Sequence, residues 1–322
     1  MYFGSVRFYK NIILAVVCIL ILVPTLLAVK FYRQAQTSIP PGGEIEGYET
    51  GYDSSDALFE PNRTPCALDE LDALSGSYWV DTRTMDPVSA DPPYYQLLYE
   101  DFYAPQPYNA TERAEKTIYL TFDDGPSDRT DEILEVLAEK NVKATFFVIG
   151  QSSEKNLERM RRIVEEGHTI GMHSFSHDYA AVYTSVESFL DEFYRNFIQI
   201  QETTHTTPTV FRFPGGSING YDGAFYQEIL SEMIRRGFVP FDWNISSEDA
   251  ASTQTASAEQ LADNVVRYAG GKVRGFVLFH DSEQKITTPK ALSLTIDRLR
   301  EMGFTFEAIT PDTLPVLYNY TE

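Results

Sequence analysis

Histidine is scarce in this chain, five residues in 322, and three of the five stand with an adjacent Asp pair at spacings suited to a hydrolytic metal site. The segments are Thr121-Phe122-Asp123-Asp124-Gly125, His173-Ser174-Phe175-Ser176-His177 and Leu278-Phe279-His280. Two imidazoles and one carboxylate are a common ligand set for zinc when one coordination position must stay open to water or substrate. One Asp and one His then remain for proton transfer, which points to metal-assisted hydrolysis. Taken singly, each motif has a plainer reading. Asp-Asp-Gly is ordinarily a turn whose carboxylates cap backbone amides, and two His four residues apart usually sit on a surface or in packing. Arg212-Phe213-Pro214-Gly215-Gly216 alone is a strand running into a turn. The weight lies in their joint occurrence.

Side chains so far apart in sequence meet only if a regular scaffold brings them to one place. From Lys116 onward, short apolar β-rich runs alternate with helical stretches. The pattern predicts strands over 117–122, 144–149, 169–172, 210–213, 238–243, 275–279 and 304–309. Helices are expected over 131–139, 155–166, 186–203, 223–236, 258–269 and 290–302. Capping boxes at Thr184 with Glu187 and at Ser257 with Gln260 mark two helix starts, and Pro289 after Thr288 marks a third. This alternation implies an α/β fold with a parallel sheet. Asp123, Asp124, His173, Arg212, Asp242 and His280 all fall at or just after the C-terminal ends of different predicted strands, where barrel enzymes gather their chemistry. A doubly wound sheet would concentrate ligands at one switch point, and its usual Gly-rich phosphate turn is absent. The expected architecture is an irregular (β/α) barrel of seven or eight strands.

Three regions are expected. Residues 1–33 hold a short N-terminal stub and an apolar run from Ile12 to Val29, flanked by Arg7, Lys10, Lys30 and Arg33. At helical rise this run approaches the span of a hydrocarbon core about 30 Å thick. It exceeds a signal-peptide core of roughly 7 to 15 residues, and no small-x-small cleavage site comes after it, so it reads as a retained anchor rather than a removed signal peptide. A lone N-terminal anchor behind a short basic stub exports the rest of the chain, which implies a single-pass protein of a bacterial cell membrane with its bulk outside. Residues 34–115 form an acidic, Pro- and Tyr-rich linker of mostly low order, in which Tyr94, Tyr95, Leu97, Leu98, Tyr99, Phe102 and Tyr103 are suited to docking on the next domain. Residues 116–322 form the catalytic domain. The net charge of −21 and pI near 4.6 exclude nucleic acid and anionic headgroups as partners, since both would be repelled. Cys18 and Cys66 lie in unlike surroundings, so no internal disulfide is expected between them.

In their order along the chain the motifs closely resemble the NodB-homology polysaccharide deacetylases, carbohydrate esterase family 4. That family's signatures are Thr-Phe-Asp-Asp-Gly, His-Ser/Thr-x-x-His, Arg-x-Pro-Tyr, Asp-x-x-Asp-Trp and Leu-x-His, and the likeness covers about 116–311. Matched onto this sequence, Gly215 stands where the third signature often has Tyr, and Val239 where the fourth begins with Asp if that signature ends at Asp242-Trp243. The resemblance implies Asp124, His173 and His177 as ligands of one divalent ion, zinc by default of ligand type, with cobalt, nickel or iron also accepted by such a set. It implies Asp123 as general base, Arg212 as the group that holds it, His280 as general acid and Asp242 as the residue that orients His280. Substrate would meet Gly215, whose region supplies a backbone N–H to the oxyanion, and Trp243 and Leu278, which would wall the acetyl pocket. The implied activity is hydrolysis of N-acetyl groups on an aminosugar polymer. With the expected anchor, cell-wall peptidoglycan is the acetylated glycan within reach. The rivals are a chitooligosaccharide or exopolysaccharide deacetylase with the same site, and a wall-binding scaffold without turnover.

Overall fold

The computed structural model describes residues 92–105, 116–221, 225–250 and 256–318. No helix among them is long and apolar enough to cross a membrane. The apolar run 12–29 and both cysteines lie outside the described residues.

Eight parallel strands form one curled sheet: β1 (Thr117–Asp123), β2 (Thr145–Val148), β3 (Thr169–Met172), β4 (Val210–Phe211), β5 (Val239–Pro240), β6 (Ile245–Ser246), β7 (Arg274–His280) and β8 (Thr305–Glu307). The hydrogen-bonded order is β5-β4-β3-β2-β1-β7-β6. β8 pairs with the first residues of β1 and β2 with the last, so one edge of the central strand serves two neighbours. Among the described residues seven α-helices lie between the strands, two of them between β3 and β4 and none between β5 and β6: α1 (Asp128–Glu139), α2 (Glu154–Glu165), α3 (Tyr179–Val182), α4 (Val186–Thr204), α5 (Tyr226–Arg235), α6 (Ala258–Ala269) and α7 (Thr288–Glu301).

Strand periodicity divides the core in two. Ile118, Leu120 and Phe122 of β1, with Val277 and Phe279 of β7, belong to the large cluster shared with Ile133 and Leu137 of α1, Phe193 of α4 and Leu292 and Ile296 of α7. The alternate residues turn inward, where Tyr119, Phe147, Val210, Val239, Phe241, Phe276, Ile309 and Val316 form a separate apolar plug. Because successive side chains alternate faces, Thr121 and Asp123 share the inner face of β1 with Tyr119, and Leu278 and His280 share that of β7 with Phe276. The register pairs Asp123 with His280 directly. Two reactive groups are thereby set side by side above the plug.

The barrel is a half-barrel. No pairing joins β5 to β6, and the strand expected over 238–243 stops at Pro240. Chain and C-terminus bridge this seam instead: Asp242 N–H donates to Val316 O at 2.8 Å, Asn244 N–H to Phe276 O at 3.1 Å, and the Tyr318 hydroxyl to Trp243 O at 2.5 Å. The strand expected over 210–213 is likewise only two residues long. Helix starts are better matched. Ser257 and Gln260 form the expected capping box, whereas α4 is capped by Ser185, which accepts from Ser188 N–H, and the Thr184 hydroxyl donates instead to Ala180 O at 2.6 Å.

Residues 92–105 pack onto the domain. Phe102 is fully buried, with ring centroids 4.7 Å from Phe238 and 5.0 Å from Phe197. The buried Arg236 guanidinium donates to the carbonyls of Tyr95, Leu98, Tyr99 and Phe102, and its Nε to Glu232 at 2.6 Å. Burial of that cation is tolerable because a paired carboxylate and four carbonyls surround it.

Candidate active site

Asp123 closes β1, and the chain then turns sharply, with Asp124 in the left-handed region at φ 72°. A non-glycine residue there costs on the order of 1–2 kcal/mol, and the turn recovers it through tertiary bonds. Asp281 N–H donates to Asp123 O at 2.7 Å, and the Asp281 carboxylate accepts from the Thr130 hydroxyl. Burial drives the Asp281 carboxyl well above the usual carboxylate range. Gly125 is required beside it, since a Cβ would fall 2.1 Å from Asp281 Oδ2.

The two-His segment is a loop after β3, also strained, with Ser174 at φ 70° and His177 at φ 55°. Glu192 of α4 holds it by accepting Phe175 N–H at 3.1 Å and Ser176 N–H at 2.6 Å. Nothing in the spacing of the motifs points to Glu192. Both imidazole Nε2 atoms face Asp124 Oδ1, at 3.6 Å from His173 and 3.2 Å from His177. One ligand atom from each of the three residues lies within 4.8 Å of the others.

This trio fits a divalent ion on two observations. Asp124 Oδ1 is buried and makes no hydrogen bond among the described residues, an arrangement that is costly without a partner. His173 Nδ1 sits 2.9 Å from Arg212 O, so it carries the proton and leaves the Nε2 lone pair directed at Asp124. Burial lowers the His173 pKa to about 4, with the nearby His177 acting the same way and Asp123 and Asp124 opposing. A neutral ring is what a ligand must be.

Arg212 lies beneath, fully buried. Its NH1 donates to Asp123 Oδ1 at 2.8 Å and to Thr121 Oγ1 at 2.7 Å, its other nitrogens donate to Phe241 O and Asp242 O, and its plane rests 4.4 Å from the Phe147 ring centroid. Asp123 is thereby fixed in place with its Oδ2 toward His173, 3.8 Å away.

His280 has a different partner from the one expected. Its Nδ1 lies 2.7 Å from Asp249 Oδ1, and its backbone N–H donates to Asp249 Oδ2 at 2.8 Å. Burial disfavours the charged ring, but the bond and charge of Asp249, with the fields of Asp123 and Asp124, outweigh it and raise the His280 pKa. Asp249 is correspondingly lowered: burial acts upward, and the His280 bond prevails. Asp242 makes no bond to His280. It accepts from Ser217 N–H at 2.9 Å, from the Ser217 hydroxyl and from Tyr318 N–H at 2.8 Å, and burial pushes its carboxyl up despite those bonds. Asp242 thus ties the seam together, and Asp249 is the residue positioned to orient the imidazole. The sequence signal for Asp249 is thin: an Asp-x-x-Asp-Trp register ending there falls on Ser246-Ser247-Glu248-Asp249-Ala250, which keeps only one of its three defining residues.

Asp123, Asp124, His173, His177 and His280 line one cleft of about 420 Å³, together with Gly215, Trp243, Leu278, Tyr179, Ala250 and Lys285. Arg212 and Asp242 stand behind its wall rather than in it. Gly215 N–H makes no hydrogen bond among the described residues, while Gly216 N–H is taken by Phe213 O at 2.8 Å. A carboxylate held by Arg212, an imidazole whose pKa is raised, an open ligand trio and a spare amide N–H are the parts needed for hydrolysis of an acyl bond.

Comparison with known proteins agrees with this geometry. The polysaccharide deacetylase family profile matches residues 110–229. A peptidoglycan-N-acetylglucosamine deacetylase of Bacillus cereus is 34% identical over 208 residues, 64% of this chain and 72% of that protein. Among solved structures, the catalytic domain of a peptidoglycan N-acetylglucosamine deacetylase from Eubacterium rectale superposes with a TM-score of 0.62 at 32% identity, covering 66% of this chain and 97% of the other. A family 4 acetyl xylan esterase from Clostridium thermocellum, bound to cobalt, gives 0.51 at 30% identity, covering 60% and 88%. The chain belongs to the polysaccharide deacetylase family, and is a hydrolase acting on amide bonds.

Proposed function

We propose that this chain is a membrane-tethered, zinc-dependent deacetylase that removes N-acetyl groups from peptidoglycan outside a bacterial cell and releases acetate. The observation that carries the reading is the convergence on one cleft of Asp124, His173 and His177 with the Asp123–Arg212 and His280–Asp249 pairs. Peptidoglycan is favoured by the names of the Bacillus cereus and Eubacterium rectale relatives and by the apolar run 12–29, which would hold the domain beside the wall. Zinc is favoured by the His, His, Asp donor set.

A bound divalent ion supplies Lewis acidity to an amide carbonyl and to an attacking water. Asp123, oriented by Arg212, takes the proton from that water as its oxygen bonds to the carbonyl carbon. Gly215, which lines the cleft and has a spare N–H, is the donor available to the carbonyl oxygen as negative charge gathers on it. His280, whose protonated form Asp249 favours, then gives its proton to the departing sugar nitrogen as the C–N bond breaks. The products are acetate and a free amine. The test is acetate release by the purified full chain, with zinc, from peptidoglycan, N-acetylglucosamine oligomers and acetylated exopolysaccharide compared side by side. Preference for peptidoglycan supports the reading; release from another polymer alone reassigns the substrate, and no release with any metal overturns it.

A further inference from the structure

The loop after Arg212 runs between two aromatic rings. A Cβ built on Gly215, at φ 81°, would lie 2.8 Å from Tyr179 Cε1 and 3.1 Å from its hydroxyl oxygen; one on Gly216, at φ 85°, would lie 2.9 Å from Trp243. Neither position has room for a side chain. At 215, where the third signature often carries Tyr, the space is filled by a ring from α3. That ring lines the cleft, packs edge-on against His177 at 5.2 Å between centroids, and lies 5.4 Å from Tyr221, which is 59% exposed. Its backbone is fixed as well: Asp178 caps α3, and the Tyr183 hydroxyl one turn on donates to Pro214 O at 2.9 Å. No protein group takes up the Tyr179 hydroxyl among the described residues, and the ring is half-buried beside the ligand trio.

We propose that Tyr179 is a substrate-contacting, specificity-determining residue, and that with Tyr221 it forms an aromatic shelf leading out of the cleft, so that glycans long enough to reach both rings are preferred. The chemistry is that of pyranose recognition: an apolar ring face packs on the C–H face of a sugar, and a free phenol hydroxyl meets a sugar hydroxyl. This rests on the deacetylase reading, because it presumes a glycan in the cleft.

The experiment uses the full chain carrying Asp123→Asn, with zinc, titrated calorimetrically with the N-acetylglucosamine dimer and pentamer, in parallel with acetate release by the unsubstituted protein. Tyr179→Ala is expected to weaken both oligomers by roughly tenfold or more, the scale of about 1.4 kcal/mol, with zinc content unchanged. Tyr221→Ala is expected to weaken the pentamer more than the dimer, erasing the length preference. Tyr179→Phe keeps the ring and decides the matter if the alanine variant does not fold; a loss of about threefold, from the hydroxyl alone, is expected. Acetate release by the unsubstituted protein together with affinities within about twofold of the parent for the Tyr179 variants overturns this proposal and leaves the function standing. Absence of acetate release overturns the function itself.

Discussion

The two sides of the cleft are built differently. On the β1–β4 side the reactive groups lie at the ends of strands joined by hydrogen bonds, and buried supports fix each one: Arg212 under Asp123, Asp281 behind the Asp-Asp turn, Glu192 under the two-His loop. On the β5–β6 side the sheet opens, the two strands are two residues long, and order comes from side-chain carboxylates: Asp242 gathers Ser217 and Tyr318, and Asp249 gathers His280 and Thr288. The paired side keeps the Asp-Asp and two-His motifs intact beside its hydrogen-bonded strands, and its one departure is Gly215 in the loop after β4. The seam answers to individual contacts, and there the fourth signature has drifted.

The largest effects should fall on the paired side. Asp124→Ala or His173→Ala should abolish zinc uptake in equilibrium dialysis and acetate release with it. Asp123→Asn should retain zinc yet lose roughly 10²–10⁴ in kcat. Zinc retention in all three would break the assignment of ligands. At the seam, Asp249→Ala should lower kcat by roughly 10–100-fold and move the basic limb of the pH–rate profile to lower pH, since the His280 pKa is raised by that carboxylate. Asp242→Asn should leave the basic limb in place and destabilise the fold by about 1–3 kcal/mol in urea unfolding, because an amide NH2 replaces one of the two oxygens that accept from Ser217 and Tyr318. If Asp242→Asn shifts the limb and Asp249→Ala does not, the roles on the seam are reversed.

A further test concerns pH and stability, and the two sides carry opposite signs. His168 and His173 are both lowered to about 4 by burial. The unfolded chain takes up their protons first, so the metal-free protein should lose stability as pH falls from about 6.5 toward 4, on the order of 2–3 kcal/mol for each ring. His280 is raised, so its contribution is full below the unfolded value and is lost as pH rises through the folded one. Chemical denaturation across that range should show the acid-side loss, and Asp249→Ala should remove the alkaline-side slope.

Much of the site is legible in the sequence because it obeys period two. Asp123, His173, Arg212 and His280 all lie at or next to a strand end that the apolar pattern marks, and the pattern places those ends within a few residues. The seam is not legible. A strand of two residues such as Ile245–Ser246 leaves no period to read, and the Asp242-Trp243 pair draws the fourth signature away from Asp249. Closure escapes the pattern for the same reason, since nothing local in 241–244 shows that Val316 and Tyr318 take the place of a neighbouring strand. Tyr179 is hidden for another reason: its place depends on a missing side chain at Gly215, and such a gap is seen only against its surroundings.

The grip of Arg236 on residues 95–102 has a mechanical consequence. β1 is a central strand of the sheet and ends in Asp123, so tension entering at residue 116 would pull along the very strand that aims the base. Any drag on the chain ahead of residue 92 is instead grounded at the end of α5, where the four bonds from the Arg236 guanidinium and the Phe102 ring would have to yield before β1 felt a load.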